Sequence, residues 1–593
     1  MTHSQTTPDF DPVLLAVMAN RIDAIVREMT STVTLTACSS VIGMARDFSC
    51  SILTAGHEIL SAAEGLPVHV FGGNLQSEKL VEIHPDMKKG DAFLNNDPYS
   101  GNSHAADHTF IVPVFHEGRH VFTTMVKCHQ ADCGNSVPTS YHAAARDIYE
   151  EGALIFPMVQ VQKDYVDNLD IIRMCRRRIR VPDQWYGDYL SGLSAARAGE
   201  RALGQFIDQF GWDKVQAFVT AWLDYSERRA LAAIQALPAA TVKRVGRLDP
   251  MGDFLSEGID INVTVEVDPA QGFVTVDVRD NVDCMPNGLN QTEATVTAMA
   301  VTGVVNCLGD DVPLNSGAFR RIKLLLRENC AVGKPSFPHS CSVSTTIIAD
   351  IVANAVQHAF TELGDGFGLA EGSVCLPVST AAISGKDFRK ANADYVTQLF
   401  VLGGGGPAGP TGDGLNYYID PAGAGLCYRD SVEVIEQRCP VLIKSMGLVS
   451  GSSGAGKWRG GLATRVEFGS RTGAMTVMTN TNGTETAPRG ARGGHAGGLG
   501  LNARLRNGEV VETFGGFISA TLQEGETVVG LDAGGGGYGD PRERPPELVL
   551  EDVRERYETP ERAKEIYRVV LVYNESGEAI GIDRGATERA RAA

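Results

Sequence analysis

Two strand-like runs joined by a tight turn constrain this chain more than any other feature of its sequence. The runs, residues 108–115 and 120–128, are rich in valine, threonine and phenylalanine. A hairpin of this kind brings its two ends together. His129, which follows the second run, is therefore predicted to lie beside His104 and Asp107, which precede the first.

Two imidazoles and one carboxylate at such a point form part of a metal coordination sphere, with positions left open for water or substrate. Spacing alone leaves a second interpretation open, because histidines in a turn-rich region are usually surface groups and an H-x-x-D pair is often a local hydrogen bond. His108 is excluded from the predicted ligand set, since it would point to the opposite side of an extended segment.

Several motifs around this hairpin occur together in one known family. They are NDPYSGNSH, VPVF, HQADCG and YEEGALIFP, with GGGGYGDP near the C-terminus. They resemble the B-type subunit of the hydantoinase, oxoprolinase and ketone carboxylase family, over residues 10 to 580. The resemblance implies that His104, Asp107 and His129 bind one divalent metal ion. Two histidines and one carboxylate suit zinc, manganese or iron.

Three further side chains are candidates for a catalytic role. Asp132 repeats the H-x-x-D spacing after His129, and it is a candidate fourth ligand, ligand-orienting group or general base. Asp97 precedes a proline, so it either bonds amides of its own turn or orients a histidine ligand. His69 lies in a P-V-H run that resembles one the family carries after a D-F-S-C hairpin, and it either faces the site or is structural.

The chain departs from the commoner family pattern at two places near the predicted ligands. Residues 101–104 read GNSH where the family commonly reads GGTH, and residues 132–135 read DCGN where it commonly reads DIGG. Both changes line the predicted pocket, so the substrate class cannot be transferred from the family.

We expect an α+β, β-rich protein of several subdomains, because 593 residues exceed what one compact core usually organises. The predicted regions are a β-rich metal-bearing region (1–185), a helical segment (186–240), a β-rich, glycine-rich region (241–545) and a C-terminal helical cap and tail (546–593). The β-sheets are expected in a barrel-like arrangement with short helices. The glycine-rich run at 403–414 is predicted either as packed polyproline II segments or as a flexible loop.

One glycine-rich run imitates a nucleotide-binding loop. Residues 451–457 fit G-x-x-x-x-G-K, but Trp458 follows where a magnesium-binding serine or threonine is required. The glycines at 493–500 lack the strand and helix that frame a dinucleotide site. We therefore expect a structural role for both runs and ATP binding elsewhere.

Net charge excludes some partners. At −19, the chain is a poor match for nucleic acid or anionic membrane surfaces. Its twelve cysteines include no C-x-x-C pair, which suits reduced thiols. The absence of an apolar signal core and of long apolar runs favours a cytoplasmic protein without a transmembrane helix.

Three functions follow as hypotheses. The resemblance implies the metal-bearing subunit of an ATP-dependent enzyme that opens a cyclic amide such as a hydantoin, 5-oxoproline or a lactam. A subunit of an ATP-dependent ketone carboxylase is the alternative, which the departures near the predicted ligands keep close behind. A non-catalytic scaffold with a structural metal is the third. In the first two, a separate A-type subunit binds ATP and magnesium, so we expect a hetero-oligomer.

Overall fold

The computed structural model describes residues 10–374, 377–423 and 426–592, in which open β-sheets alternate with helices. The helices are α1 (Pro12–Thr36), α2 (Ser40–Gly43), α3 (Pro67–Val70), α4 (Gly73–Ile83), α5 (Ile148–Glu151), α6 (Leu169–Arg178), α7 (Pro182–Phe210), α8 (Trp212–Gln235), α9 (Glu293–Val305), α10 (Ser316–Phe319), α11 (Ile348–Ala359), α12 (Val432–Arg438), α13 (Pro546–Arg554), α14 (Pro560–Glu565) and α15 (Arg584–Ala592).

The first seven strands form one sheet, which carries the predicted hairpin at its centre. They are β1 (Phe48–Thr54), β2 (Ile59–Ser61), β3 (Ala92–Asn95), β4 (Asp107–His116), β5 (Arg119–His129), β6 (Val159–Lys163) and β7 (Val166–Asp167). Their order is β2-β1-β5-β4-β3-β6-β7. The hairpin strands β4 and β5 are therefore covered on both edges, which fixes the positions of the residues at their ends.

Helices α1 and α7 pack on this sheet and bury its apolar face. Helix α1 begins where the sequence predicts, because the Asp11 carboxylate accepts a hydrogen bond from the Leu14 amide and Pro12 opens the first turn. Helix α7 lies directly on β4 and β5. Gly192 allows this close approach, since a Cβ there would stand 2.4 Å from the Phe110 ring.

A second sheet packs against two buried helices and forms the largest apolar core. Its strands are β8 (Ala240–Leu248), β9 (Ile259–Asp268), β10 (Phe273–Asp277) and β11 (Ile322–Leu325), in the order β11-β10-β9-β8. Helix α11 lies on β8 and β9 and also packs against α9. Every residue of α11 is buried, including the polar side chains Asp350, Asn354, Gln357 and His358 among its alanine, valine and isoleucine residues.

Nine strands of the C-terminal half form two further sheets. The strands are β12 (Ala382–Asp387), β13 (Ala393–Gln398), β14 (Val441–Leu448), β15 (Thr464–Ser470), β16 (Met475–Asn480), β17 (Leu501–Arg506), β18 (Glu509–Phe514), β19 (Phe517–Leu522) and β20 (Glu526–Leu531). Their orders are β13-β12-β16-β19 and β14-β15-β20-β17-β18. A small hairpin, β21 (Leu571–Tyr573) with β22 (Ala579–Ile582), follows.

The mixed, multi-sheet α/β architecture is as expected, but the barrel-like arrangement is not confirmed. Each of the five sheets in the described residues has two free ends in its strand order, so none of them closes on itself. The C-terminal region also contains more than helices, since β21 and β22 lie between α14 and α15.

The glycine-rich run at 403–414 is ordered, so its interpretation as a flexible loop is wrong. Its backbone forms hydrogen bonds with a distant segment, because the Gly461 amide donates to Gly406 O at 2.9 Å. Gly461 in turn accepts a hydrogen bond from the Gly535 amide at 2.9 Å, which adds a third segment. A Cβ at Gly535 would lie 1.8 Å from Gly406 O. The segments pack backbone against backbone in a bundle that we call the glycine bundle, formed by residues 403–414, 452–461, 489–500 and 533–539.

The run that imitates a nucleotide-binding loop belongs to this bundle. The Gly454 amide donates to Gly535 O at 2.9 Å, and the Lys457 amide donates to Gly539 O at 3.2 Å. The Lys457 ammonium lies 3.8 Å from the Glu543 carboxylate. Backbone amides that would bind a phosphate are already hydrogen-bonded to carbonyl groups of the bundle. The geometry therefore agrees with a structural role for this run.

No helix in the described part of the chain has both the length and the apolar content to cross a membrane. The cysteines of the described residues are all free thiols.

Candidate metal centre

The hairpin places two of the predicted ligands directly opposite each other. Asp107, the first residue of β4, pairs with His129, the last residue of β5. The connecting residues Glu117 and Gly118 both have positive φ, 47° and 77°, as in a two-residue type I′ hairpin turn. The predicted proximity of these two side chains is therefore confirmed.

The loop before β4 brings in His104. Gly101 adopts φ +79° and lies against α4, where a Cβ would stand 2.8 Å from the Gln76 amide nitrogen. The Asn102 side chain then donates to His104 O at 2.7 Å and to Asp107 O at 2.9 Å. Asn102, one of the departures from the family pattern, thus fixes the loop that presents both ligands.

Three electron-rich atoms converge at this point. His104 Nε2 lies 3.0 Å from Asp107 Oδ1 and 3.2 Å from His129 Nδ1, and His129 Nδ1 lies 3.1 Å from Asp107 Oδ1. All three side chains are buried, with at most 1% of each residue exposed. Among the described residues, these three form the group of acidic, histidine and cysteine side chains arranged to hold a metal ion.

Hydrogen bonds on the far side of each ring support ligation. His104 Nδ1 donates to Ser342 O at 2.9 Å, so Nε2 is the ring nitrogen that faces the cluster. His129 Nε2 lies 3.0 Å from Ser140 Oγ, which leaves Nδ1 for the cluster. Both rings also stack near Tyr141, with centroids 5.4 and 5.1 Å away. These contacts hold both rings in orientations that suit metal ligation, and the Ser342 carbonyl fixes a proton on His104 Nδ1.

The second oxygen of Asp107 is held by a short polar chain. Ser103 Oγ donates to Asp107 Oδ2, and the Lys127 ammonium donates to Ser103 Oγ at 3.0 Å. Lys127 is 4% exposed, and burial lowers its pKa to about 8 while the Asp107 charge opposes that change. This chain fixes the carboxylate plane so that Oδ1 faces the two histidines.

The surroundings keep the carboxylate of Asp107 ionised. Burial on its own would raise its pKa, but the neighbouring His104 and His69 rings, with hydrogen bonds from His104 and His129, hold that pKa well below its usual value. Burial lowers the pKa of His129 to about 4, which favours the neutral imidazole. Burial would lower the pKa of His104, but the Asp107 charge and the hydrogen bond to Asp107 raise it, so a metal ion would displace a proton from that ring.

His69 lies beside this cluster. Its Nε2 is 3.4 Å from Asp107 Oδ2 and 3.6 Å from Asp47 Oδ1, and its Nδ1 is 3.2 Å from Ser49 Oγ. Burial, with the Asp107 and Asp420 charges nearby, raises the pKa of Asp47 well above the ordinary value. His69 therefore connects the Asp107 carboxylate with a second buried carboxyl group.

The structure does not bring Asp132 and Asp97 to the three ligand atoms. Asp132 lies beyond the end of β5, where its carboxylate accepts hydrogen bonds from the Arg180 guanidinium at 2.9 Å and the Gly134 amide at 3.0 Å. Asp97 accepts from the Tyr99 amide and Ser100 Oγ within its own turn. A fourth-ligand position for Asp132 is excluded by this geometry, and Asp97 has the turn contacts that the sequence offered as one alternative.

Replacing Asp132 with asparagine is expected to destabilise the fold by about 1–3 kcal/mol, because the buried bonds to Arg180 lose their ionic partner. Metal content should stay at the wild-type level. The measurements are chemical denaturation and elemental analysis of the same preparation. Loss of the metal with unchanged stability would instead place Asp132 in the coordination sphere.

A small cavity opens on the His129 side of the cluster. It measures about 30 Å³, which is room for one or two water molecules. Its polar lining comes from Asp47, His69, His129, Tyr141, Thr345, Thr346, Gln398 and Asp420. This cavity is the side from which water or substrate can approach the ligands.

The donor set fits a divalent metal. Without an ion, contacts of 3.0–3.2 Å between these atoms are hydrogen bonds that need a proton on a ring, and a divalent cation would take the place of that proton. Atoms that share an ion at about 2.1 Å are about 3.0 Å apart at right angles and about 3.4 Å apart at tetrahedral angles. The observed separations fall within the range that one shared ion allows, so the set suits zinc, manganese or iron alike.

Several residues of the site escaped the sequence analysis. Ser103 and Lys127 were within reach, because Ser103 adjoins a ligand and Lys127 lies two positions before His129, on the same face of β5. Asp47 precedes the F-S-C of a quoted motif. Ser140 and Ser342 carry no sequence signal, since neither belongs to a local pattern with the histidine it contacts.

A family model described as hydantoinase B/oxoprolinase matches residues 11–541. The chain belongs to this family. It is 31% identical over 602 residues to the caprolactamase subunit beta of Pseudomonas jessenii, with 98% of this chain and 99% of that protein aligned. Family membership therefore extends across the metal centre and the glycine bundle alike.

Two solved structures share the fold of this family member. The ATP-dependent caprolactamase from Pseudomonas jessenii matches with a TM-score of 0.87 and 27% identity, covering 98% of this chain and all of the other. Nucleotide-free acetone carboxylase matches with a TM-score of 0.84 over 98% of this chain and 82% of the other. Its identity is 18%, so that likeness concerns the fold alone.

Proposed function

We propose that this chain is the metal-bearing catalytic subunit of an ATP-dependent enzyme that hydrolytically opens a cyclic amide. The observation that carries the proposal is the convergence of His104 Nε2, Asp107 Oδ1 and His129 Nδ1 in a buried cluster beside a polar cavity. Alignment with a caprolactamase beta subunit over nearly the whole of both chains supports the cyclic amide as the substrate class.

His104, Asp107 and His129 would hold one divalent ion, which supplies an acidified water or a polarised substrate oxygen. Ser103 and Lys127 fix the Asp107 carboxylate, and Ser342 and Ser140 fix the two rings. His69 is the proton-holding group nearest the ligands, with Asp47 behind it. The pair is suited to take a proton from water and to return it to the leaving nitrogen.

ATP is used by a separate chain in this proposal. An amide is a poor electrophile at neutral pH, so phosphorylation of its oxygen provides the activation. The described residues offer no phosphate cradle at 451–457, where the amides bond within the glycine bundle. The related caprolactamase is ATP-dependent and has a subunit named beta, which supports an A-type partner that binds ATP and magnesium in a hetero-oligomer.

A ketone carboxylase subunit is the second candidate. The chain shares its fold with acetone carboxylase, and its departures from the commoner family pattern at Asn102 and Asn135 leave the substrate class open. A scaffold with a structural metal is less well supported, because a closed structural site normally has four protein ligands and this cluster provides three.

The test is to purify the chain with its ATP-using partner and to measure ADP release with lactams, hydantoins or 5-oxoproline, and separately with ketones plus labelled bicarbonate. We expect cyclic-amide-dependent ADP release that needs both chains, and no ATPase activity from this chain alone. Incorporation of label from bicarbonate without any lactam turnover would replace the first candidate by the second.

A further inference from the structure

Two side chains of the cavity beside the metal centre have polar atoms without a hydrogen-bond partner. Gln398, the last residue of β13, is 2% exposed, and neither its Oε1 nor its Nε2 has a partner among the described residues. Thr345, which precedes α11 and is 5% exposed, lines the same cavity, and its Oγ1 is likewise unpartnered in the described part of the chain. Native folds rarely leave buried polar atoms unbonded, so together these atoms indicate a ligand in the cavity.

The unpartnered atoms define the chemistry of that ligand. A primary amide presents an acceptor at its oxygen and donors at its nitrogen, and a hydroxyl does either. The ligand must therefore donate to Gln398 Oε1 and also accept from Gln398 Nε2. A metal cation cannot accept a hydrogen bond, and an anion would face the carboxyl groups of Asp47 and Asp420, which line the same cavity.

The size of the cavity leaves water as the ligand. About 30 Å³ holds one or two water molecules, and a water molecule donates and accepts at the same time. A cyclic amide is too large for this space, whether or not its oxygen carries a phosphoryl group. The lining needs no movement to admit water.

The same cavity is lined by the groups that would use such a water. His129, a proposed metal ligand, and His69 both border it, and Asp47 Oδ1 lies 3.6 Å from His69 Nε2. Because the space holds only one or two water molecules, a water bound to Gln398 is adjacent to these histidines or joined to them through a single second water. The cavity therefore connects a water site to the proposed reaction centre.

We propose that Gln398 and Thr345 position the water that attacks the activated amide. This inference rests on the proposed function and names the side chains that hold its second substrate. The water oxygen bonds to the amide carbon, and the His69–Asp47 pair carries the two protons of the water in turn to the ring nitrogen, the second as the C–N bond breaks. A second water then cleaves the acyl phosphate to the carboxylate and inorganic phosphate.

The first measurement is a high-resolution crystal structure of the complex of this chain with its ATP-using partner. One or two ordered waters should lie within hydrogen-bond distance of Gln398 Oε1, Gln398 Nε2 and Thr345 Oγ1. Gln398→Met, which keeps the length of the side chain but neither polar group, should lose at least one of them. A dry cavity in the wild type, an ion in place of water, or a Gln398 amide bonded only to protein groups would overturn the water site.

The second measurement compares ADP release with ring opening of a lactam such as ε-caprolactam in the same complex. Gln398→Met should lower kcat for the ring-opened product by roughly 10- to 100-fold, because a misplaced water attacks slowly. ADP release should fall much less, since phosphorylation precedes attack, and an intermediate that is not opened loses its phosphate to solvent and returns to the amide. The ADP released per amino acid formed should therefore rise, and Thr345→Val should give a smaller rise.

Gln357→Met is the matched control, because Gln357 is a buried glutamine of α11 that bonds to Asn354 and Ala370 and does not line the cavity. It should lower stability and leave the ratio of ADP to product at the wild-type value. If Gln398→Met does not fold, Gln398→Asn, which withdraws the amide by one methylene, gives the same comparison. An unchanged ratio in the Gln398 variant would overturn the role of this water while the proposed function stands. A wild-type complex that opens no cyclic amide would overturn both.

Discussion

His104→Ala is expected to reduce metal affinity by roughly a thousandfold, equivalent to about 4 kcal/mol, and to abolish ATP-coupled turnover of the complex. The reason is that His104 Nε2 is one of only three converging ligand atoms in the described residues. Loss of one leaves a carboxylate and one imidazole, a pair that cannot compete with water for the ion. Elemental analysis of the purified protein, with chelator competition for the affinity, measures the effect.

His116→Ala is the matched control, because His116 lies at the opposite end of β4 from Asp107 and its ring contacts Trp212, with centroids 5.7 Å apart. It should keep both metal content and turnover. Asp107→Asn should behave as His104→Ala does, since a neutral amide donates where the cluster needs an acceptor. Full metal content in both His104→Ala and Asp107→Asn would refute the ligand assignment.

Gly535→Ala is expected to destabilise the protein by more than about 4 kcal/mol, so that little soluble protein is obtained. The new Cβ would stand 1.8 Å from Gly406 O and 2.6 Å from its carbonyl carbon. Backbone on both sides is hydrogen-bonded, so neither segment can move away without breaking bonds to its neighbours. Soluble yield and the midpoint of thermal unfolding measure this effect.

Gly412→Ala provides the control from the same glycine-rich run. A Cβ at Gly412 meets nothing within 4 Å, so the variant should fold and unfold like the wild type. If Gly535→Ala were as stable as Gly412→Ala, the glycine bundle would be loosely packed and its structural role would be wrong.

The hairpin could be predicted because the residues that determine it are close together in the sequence. Strand-forming side chains on each side of Glu117–Gly118 fix the pairing, and the pairing places Asp107 opposite His129. The same local reasoning misplaced Asp132, because repetition of the H-x-x-D spacing says nothing about where the chain turns after β5. Its carboxylate lies against Arg180, which is 48 residues away in the sequence.

The rest of the site depends on contacts between distant segments. His104 bonds to Ser342, which is 238 residues away in the sequence. Gln398 reaches the cavity beside the metal centre from a different sheet. In the glycine bundle, composition indicates backbone packing, but nothing in residues 403–414 identifies Gly461 or Gly535 as their partners. Contacts between residues so far apart in the chain leave no periodic pattern in the sequence. Only the structure therefore reveals them.

X-ray anomalous scattering from crystals of the wild-type chain, recorded at the absorption edge of the metal found by elemental analysis, tests the central claim most directly. We expect one strong peak within about 2.0–2.2 Å of His104 Nε2, Asp107 Oδ1 and His129 Nδ1 together. A stoichiometric metal whose peak lies elsewhere, with these three atoms bonded only to one another, would contradict it.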